Sequence, residues 1–508
     1  MRRCLAAAFA AALFCSAAQA DFVAISAGDG GPEISGELLS FDGRYMRVDS
    51  AYGIVTIDAT AVECTGAACP VPGEYVPDLM ISGAAESVDR LLTPMLEAFA
   101  AEKGYGYVRQ DEDATHILYL LLVPEEDNRR VARIRFRLTS SREGFADLLA
   151  DQADMTFAAR EPTEAEVELA ADAGAADLSS RRDRRLVARD AVVAVVSPEN
   201  PLQALTVEDL QRIYRGEVTN WAEVGGPDAA IALHLPSGSL GGAFDGPGSA
   251  GASYHADLGA VQAAVQADPF ALGLTMRSTM GPTRPLSLAG DCGIAVAPTA
   301  RTLKSGDYPW VLSYELYLPA RRLPPVGREY VAFLTSREAG RLIEREWFAD
   351  LQIDGRGLAQ QGARLVDAIR ATGPDVGARS LRQIVEVLDG AERLTSTFRF
   401  DGEALDAVSL GNLDGLVEGI EEGVFDGKRL ILAGFSDAVG GAVANRDVSR
   451  RRAVTVRDMV LERLGPDDAG RVPVEVHGFG EAMPLACDDG GGWGTMANRR
   501  VEAWVVQK

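Results

Sequence analysis

The run ARDAVVAVVSPENPLQALTVEDLQRIYRGEVTNWAEVGG, residues 188–226, holds a strand, a turn and a capped helix in order. Residues 191–196 are continuously apolar, as in a strand buried on both faces, and Pro198-Glu199-Asn200-Pro201 then turns the chain. Thr206 heads Thr-Val-Glu-Asp, which reads as a helix start; Leu210, Ile213 and Tyr214 fall on one face, and Gly216 ends the helix. Outward from this run, strand-like and helix-like segments alternate over residues 78–351, the pattern of a mixed α/β domain.

The same run resembles type 2 periplasmic solute-binding proteins, specifically the phosphate-binding component of ABC importers. The residues that carry the likeness are Asn200-Pro201, Ile213-Tyr214-Arg215-Gly216, Asn220-Trp221-Ala222-Glu223-Val224-Gly225-Gly226 and SGDYPW at 305–310. The resemblance implies two lobes that close on a small solute. In that family short loops resembling Gly-Ser-x-Thr and Arg-x-x-x-Ser-Gly-Thr hold the anion. Here the first loop reads Gly83-Ala84-Ala85-Glu86 and the second His234-Leu235-Pro236-Ser237-Gly238-Ser239-Leu240. Ser87, Ser237 and Ser239 are the remaining hydroxyls, and Arg160 is the cation expected at the cleft. Each lost hydrogen bond to a charged group removes about 1.5–3 kcal/mol, so a few losses separate micromolar from millimolar affinity. The expectation is weak phosphate binding or none, with Glu86 favouring a ligand that carries a positive group.

Near the C-terminus, GFSDAVGGAVANRDVSRRRAVTVRDMV at 434–460 places Asp437 just after a short apolar strand and Arg452 on the following helix. An ammonium needs an anionic acceptor, and a carboxylate is best held by a planar guanidinium fork, so the two could grip a zwitterion. Gly434, Phe435, Ser436, Asp437, Gly440, Asn445, Ser449, Arg452 and Ala453 match without gaps the pattern of the OmpA C-terminal-like peptidoglycan-binding domain, which this segment resembles. NRRVEAW at 498–504 is similar to that family's closing strand, and Gly480-Glu481 followed by Pro484 to its preceding turn. The resemblance implies non-covalent binding of the diaminopimelate end of a peptidoglycan stem peptide through Ser436, Asp437, Asn445 and Arg452. Arg499 or Arg500 adds a contact.

Residues 1–20 read as a secretory signal: Arg2 and Arg3, an apolar stretch, then Ala18-Gln19-Ala20 as the cleavage site. Lipidation at Cys15 is the minor alternative, because Phe14 precedes it where a small residue is wanted. Residues 21–75 form a small β module with turns at Asp42-Gly43 and Tyr52-Gly53, stapled by a Cys64 to Cys69 disulfide. Cys292 and Cys487 fall in different domains and are expected to be free and buried. Residues 352–393 are a connector, either packed or flexible, with Leu381, Ile384, Val385 and Leu388 at helical spacing; residues 394–508 form the C-terminal domain.

A net charge of -24 leaves nucleic acid and anionic membrane surfaces as unsuited partners. No run after the signal approaches the length of about 18 apolar residues that spans a bilayer. The histidines, His116, His234, His255 and His477, stand singly on separate elements and form no spaced metal motif. Arg181, Arg182, Arg184 and Arg185 read as a solvated face, with partner docking as the rival. With no nucleophile elbow, phosphate loop or dinucleotide motif, no catalytic residue, metal or cofactor is assigned.

The fold class is therefore α/β multidomain: a small N-terminal β module, a two-lobed type 2 periplasmic-binding-protein fold and a C-terminal OmpA-like α/β sandwich. The function expected is that of a periplasmic, cell-wall- or outer-membrane-associated binding protein, with peptidoglycan and a small solute as partners. The alternative is a structural envelope protein whose solute-binding-like domain has lost its ligand.

Overall fold

A computed structural model of the chain describes residues 22–27, 33–71, 75–174, 176–238, 240, 244, 248–371, 376–402, 404–488 and 492–507. The signal segment and Cys15 lie outside them. The N-terminal module is a five-stranded antiparallel sheet, in the order Gly53–Asp58, Tyr45–Ser50, Ile34–Phe41, Phe22–Ser26, Glu63–Thr65. Alternation puts Val23, Ile25, Met46 and Val48 on its inner face. Asp42 Oδ1 accepts from the amides of Arg44 (2.9 Å) and Tyr45 (2.6 Å), and Gly43 supplies φ +98°, so this turn sets the hairpin register. Cys64 and Cys69 are disulfide-bonded.

The middle region is built on an 11-stranded mixed sheet. One apolar core joins residues 79–136 and 155–157 to 314–348, and a second gathers residues 191–311. Two long antiparallel strands, Arg184–Val196 and Val311–Tyr317, run from one core to the other, so the lobes are joined by a paired crossover. Within the second lobe the sequence signals act as expected. Thr206 Oγ1 caps the helix Val207–Arg215 by accepting from the Asp209 amide (2.9 Å), and Gly216 ends it at φ +76°. Trp221 is fully buried, its indole N–H donating to the Phe270 carbonyl (2.9 Å).

The C-terminal sheet has the order Gly355–Gly357, Glu392–Asp401, Arg500–Gln507, Lys428–Gly434, Val474–Gly478, with the short strand Ala404–Leu405 paired beside Glu392–Asp401. Helices Ala407–Glu421 and Ala442–Arg463 contribute to one apolar core of this sheet. The connector is packed: Leu358, Ala368, Ile384 and Leu388 share a second core with Ile431, Phe435 and Trp504.

The middle and C-terminal regions meet through a buried charge network. Asp307 accepts two bonds from Arg393 (3.0 and 3.1 Å) and one from Arg399 (2.6 Å), and all three side chains are under a tenth exposed. Burial alone would push the Asp307 pKa up, yet the two guanidiniums hold it well below the usual carboxylate range. Arg399 also donates to the Ser305 carbonyl (2.7 Å), and buried Arg189 reaches from the crossover strand to Asn412 Oδ1 (2.8 Å).

Cys292 and Cys487 correct the expectation of free thiols: they form a disulfide with a Cα–Cα distance of 5.5 Å, across a sequence separation of 195. Assignment to separate domains argued against a bond only while the docking of the two regions was unknown. The arginine group is also drawn into this junction. Arg181 donates to the Leu410 carbonyl (2.8 Å) and pairs with Asp414, lining a cavity of about 900 Å³ between the crossover strand and the helix Ala407–Glu421.

Asp307→Ala leaves Arg393 and Arg399 buried without their shared carboxylate and is expected to destabilise the chain by about 3–5 kcal/mol, read by chemical denaturation.

Candidate functional site

Two sets of residues correspond to the binding sites expected from the sequence. In the first, Gly83 is the next-to-last residue of the strand Asp78–Ala84, where a Cβ would lie 2.1 Å from the Phe157 carbonyl oxygen, so only glycine allows the neighbouring strands this approach. The hydroxyl of Ser87 is buried and donates to the Ala84 carbonyl (2.9 Å), closing a local turn. Arg160 makes a fork on Glu166 (2.8 and 2.7 Å) and lies over the Phe145 ring at 5.1 Å. Although burial raises the Glu166 pKa, Arg160 and the cap residue Thr163 hold it below its ordinary value. The expected cleft cation is thus satisfied internally by the capping box of the helix Glu164–Ala173.

His234 and His255 do not stand singly, which corrects the reading of isolated histidines. Parallel pairing of the strands Ala232–Pro236 and Ser253–His255 brings their ring nitrogens to 2.9 Å. Burial, and then the neighbouring ring, lower the His234 pKa. Ser237 is exposed, its amide donating to the His255 carbonyl (2.8 Å), and Ser239 and the Glu86 side chain lie outside the described residues. Among the described residues no group of three or more His, Cys, Asp or Glu could hold a metal ion.

Sequence reading missed Asp190. It is fully buried in the crossover strand, with Oδ1 accepting from the amides of Ala191 (2.8 Å) and Ser278 (3.1 Å) and Oδ2 unpartnered. Burial is the dominant cause that raises its pKa to about 6. The available signal was an acidic residue inside an otherwise apolar strand.

The second set surrounds Asp437. A Cβ on Gly434 would lie 2.0 Å from the Ser449 carbonyl oxygen, and one on Gly478 2.5 Å from that of Arg446. These two glycines let the helix Ala442–Arg463 lie directly on the ends of the parallel strands Lys428–Gly434 and Val474–Gly478. The loop after Gly434 is anchored below by Phe435, tilted against Phe479 at 5.6 Å and covered by Arg500 at 4.3 Å. Ser436 donates its amide to the Gly480 carbonyl (2.8 Å) and its hydroxyl to the Asp437 carbonyl (2.9 Å). Asn445 donates to Glu481 (2.7 Å), tying the start of the helix to the turn beyond Gly480.

Asp437 is only 6% exposed; Oδ1 accepts from the Val439 amide (3.1 Å), and Oδ2 pairs with Arg499. Of the two arginines left open by the sequence, Arg499 is the one that meets Asp437. Arg500 is fully buried, pairs with Glu502 (2.7 Å), and burial pushes its pKa down to about 9. Arg452 lies over the Phe400 ring at 5.8 Å and, among the described residues, takes no hydrogen-bond or ion-pair partner. Burial, then Arg499, disfavours its charge, and Asp437 offsets this only in part. The arrangement is a half-buried guanidinium lacking an anion, beside a carboxylate that already holds a second guanidinium.

The chain belongs to the PBP superfamily, whose domain model matches residues 82–338, just over half of it. It is 48% identical to the phosphate-binding protein PstS of Borreliella burgdorferi over 44 residues, 9% of this chain and 16% of the relative. Similarity to PstS of Bacillus subtilis is 24% over 154 residues (29% and 50%), and to outer membrane porin F of Pseudomonas aeruginosa 30% over 129 residues (25% and 34%). The chain thus spans at most half the length of these curated relatives. Among solved structures, an ABC-type phosphate transport receptor from Vibrio cholerae has TM-score 0.38 at 18% identity, covering 53% of this chain and 98% of that one. PstS from Borrelia burgdorferi has TM-score 0.38 at 18% identity, covering 54% and 99%. The middle region is therefore a PBP-superfamily domain, similar in sequence to phosphate-binding proteins.

Asp190→Asn retains the Oδ1 acceptor and removes a buried charge. Because the folded pKa, about 6, lies above the ordinary value of 3.8, the native state holds this proton more tightly and Asp190 loses stabilising effect as pH rises through that window. The variant is expected to be more stable than the parent at pH 7.5, by about 1–3 kcal/mol, with the difference shrinking toward pH 4 in urea titrations.

Proposed function

We propose that this is a cell-wall-associated binding protein of the periplasm that holds peptidoglycan non-covalently at Asp437, Arg452 and Arg499 and presents its PBP-superfamily domain as a solute-binding or recognition module. The observation that carries the reading is Arg452, half-buried, without an anionic partner and electrostatically opposed by Arg499. The carboxylate of a diaminopimelate side-chain end would relieve Arg452 and Arg499 together, while its ammonium would meet Asp437. Similarity to an outer membrane porin over 129 residues is consistent with an envelope setting. Ser436 and Asn445 hold the loop and the helix start, as their bonds to Asp437 and Glu481 indicate. The proposed division is a signal at 1–20, a β module at 21–75, the solute-binding-like domain at 78–351, a packed connector at 352–393 and a wall-binding domain at 394–508. No step in this activity breaks a covalent bond.

A second reading, that the middle domain has lost its ligand and only meets envelope partners, is favoured by one specific observation. Ser87 is engaged with Ala84 and Arg160 with Glu166, so neither stands ready for an anion.

Purified protein is expected to sediment with diaminopimelate-type sacculi, and Asp437→Ala combined with Arg452→Ala to lower bound protein at least tenfold, as loss of charged hydrogen bonds of about 1.5–3 kcal/mol each requires. Undiminished sedimentation of the double variant would remove the site. Calorimetry with inorganic phosphate at physiological salt is expected to show millimolar or weaker affinity; micromolar binding would show that the cleft is built differently from this reading.

A further inference from the structure

The surroundings of Asp437 are tied to the second lobe at two points that no part of the proposed activity uses. The first is the Cys292–Cys487 disulfide. Cys292 lies in the turn between the strands Ser287–Ala289 and Ala295–Val296, and its amide donates to Cys487 Sγ (2.9 Å). Gly290 leaves room for this junction, since a Cβ there would lie 2.5 Å from Cys487 Cβ. The second point is Trp493, which packs against the apolar core of the second lobe.

From these two points the bonds run inward to the site. Asp488, next to Cys487, accepts from the Ala438 amide through Oδ2 (2.6 Å) and from the Thr495 hydroxyl through Oδ1 (2.8 Å). Asn498 accepts from the amides of Leu485 (2.8 Å) and Ala486 (3.3 Å) and donates to the Ala486 carbonyl (2.9 Å). Arg499 follows at once and pairs with Asp437. Residues 485–488 and 493–499 therefore make one frame, with its outer side on the second lobe and its inner side on the loop that carries Asp437.

We infer that this frame is a positioning device coupling the Asp437 site to the second lobe, with the Cys292–Cys487 bond and Trp493 as its two fastenings. This rests on the wall-binding reading for its ligand but not for its geometry. A site whose Arg499 and Ala438 are held before binding spends less free energy on ordering them, so fastening raises affinity. Because such coupling is reciprocal, occupancy of the Asp437 site also biases the conformations open to the second lobe.

The test uses the full chain in oxidising buffer, the combined Cys292→Ser and Cys487→Ser variant, a separate Trp493→Ala variant, and Cys64→Ser with Cys69→Ser as control. Amide hydrogen exchange without ligand is followed at residues 436–439 and 493–499, with 155–158 as the internal reference for global folding. The titrant is a stem tripeptide ending in diaminopimelate. Expected are exchange faster by about tenfold at both segments and tripeptide affinity lower by about fivefold or more in both fastening variants, with the control unchanged. Unaltered exchange at those amides in both variants would overturn the inference whether or not the tripeptide binds, and faster exchange with unaltered affinity would overturn the coupling. If exchange responds while the parent chain fails to bind tripeptide, the wall-binding reading falls and the positioning role stands.

Discussion

Asp307 is the point on which the arrangement of the chain depends. One carboxylate, carried on the loop after the helix Ala300–Lys304, is shared by Arg393 and Arg399 of the C-terminal sheet, and the whole contact is removed from water. Desolvating three charges is costly, and the cost is offset by the bidentate fork on Asp307 and by two further bonds, from Arg393 to the Thr397 hydroxyl (3.1 Å) and from Arg399 to the Ser305 carbonyl (2.7 Å). Behind it, Glu502 gathers Arg364 and Arg500 and accepts from the Trp504 indole (3.1 Å), extending the network through the sheet. A network of this kind tolerates little displacement, so it selects one docking of the second lobe on the C-terminal sheet.

That docking has two consequences for function. It brings Cys292 within bonding reach of Cys487, which neither segment could achieve alone. It also sets Arg181, which follows the first lobe's core, against the helix Ala407–Glu421, where it lines a cavity of about 900 Å³ beside the crossover strands.

Much of the local structure was legible in the residues. The Thr206 cap, the Gly216 terminator, the turn at Asp42-Gly43, the apolar strand at 191–196 and the Cys64–Cys69 staple are all set by neighbours within a few positions, and each forms as its residue types require. Of the helically spaced Leu381, Ile384, Val385 and Leu388, three pack and Val385 is exposed; the spacing marked the face but not what it would pack against. The C-terminal loop was legible to the same degree: the order Gly434, Asp437, Asn445, Arg452 is local, and the strand, loop and helix place it as the spacing implies.

What the sequence by itself determined were the elements, the capping chemistry and the identity of the charged residues near Asp437, because these follow from short-range sterics and hydrogen bonding. Only the tertiary structure decided which charges meet. Arg160 reads as a cleft cation until Glu166 occupies it; Arg499 and Arg500 are equivalent until the strand Arg500–Gln507 buries one beside Glu502 and the end of the helix Trp493–Asn498 leaves the other on Asp437; and the histidines are solitary until parallel pairing sets His234 against His255. The physical reason is common to all three cases. A charged side chain has many acceptable partners, and the choice among them is made by which surfaces are desolvated together, a property of the packed chain and not of any stretch of it.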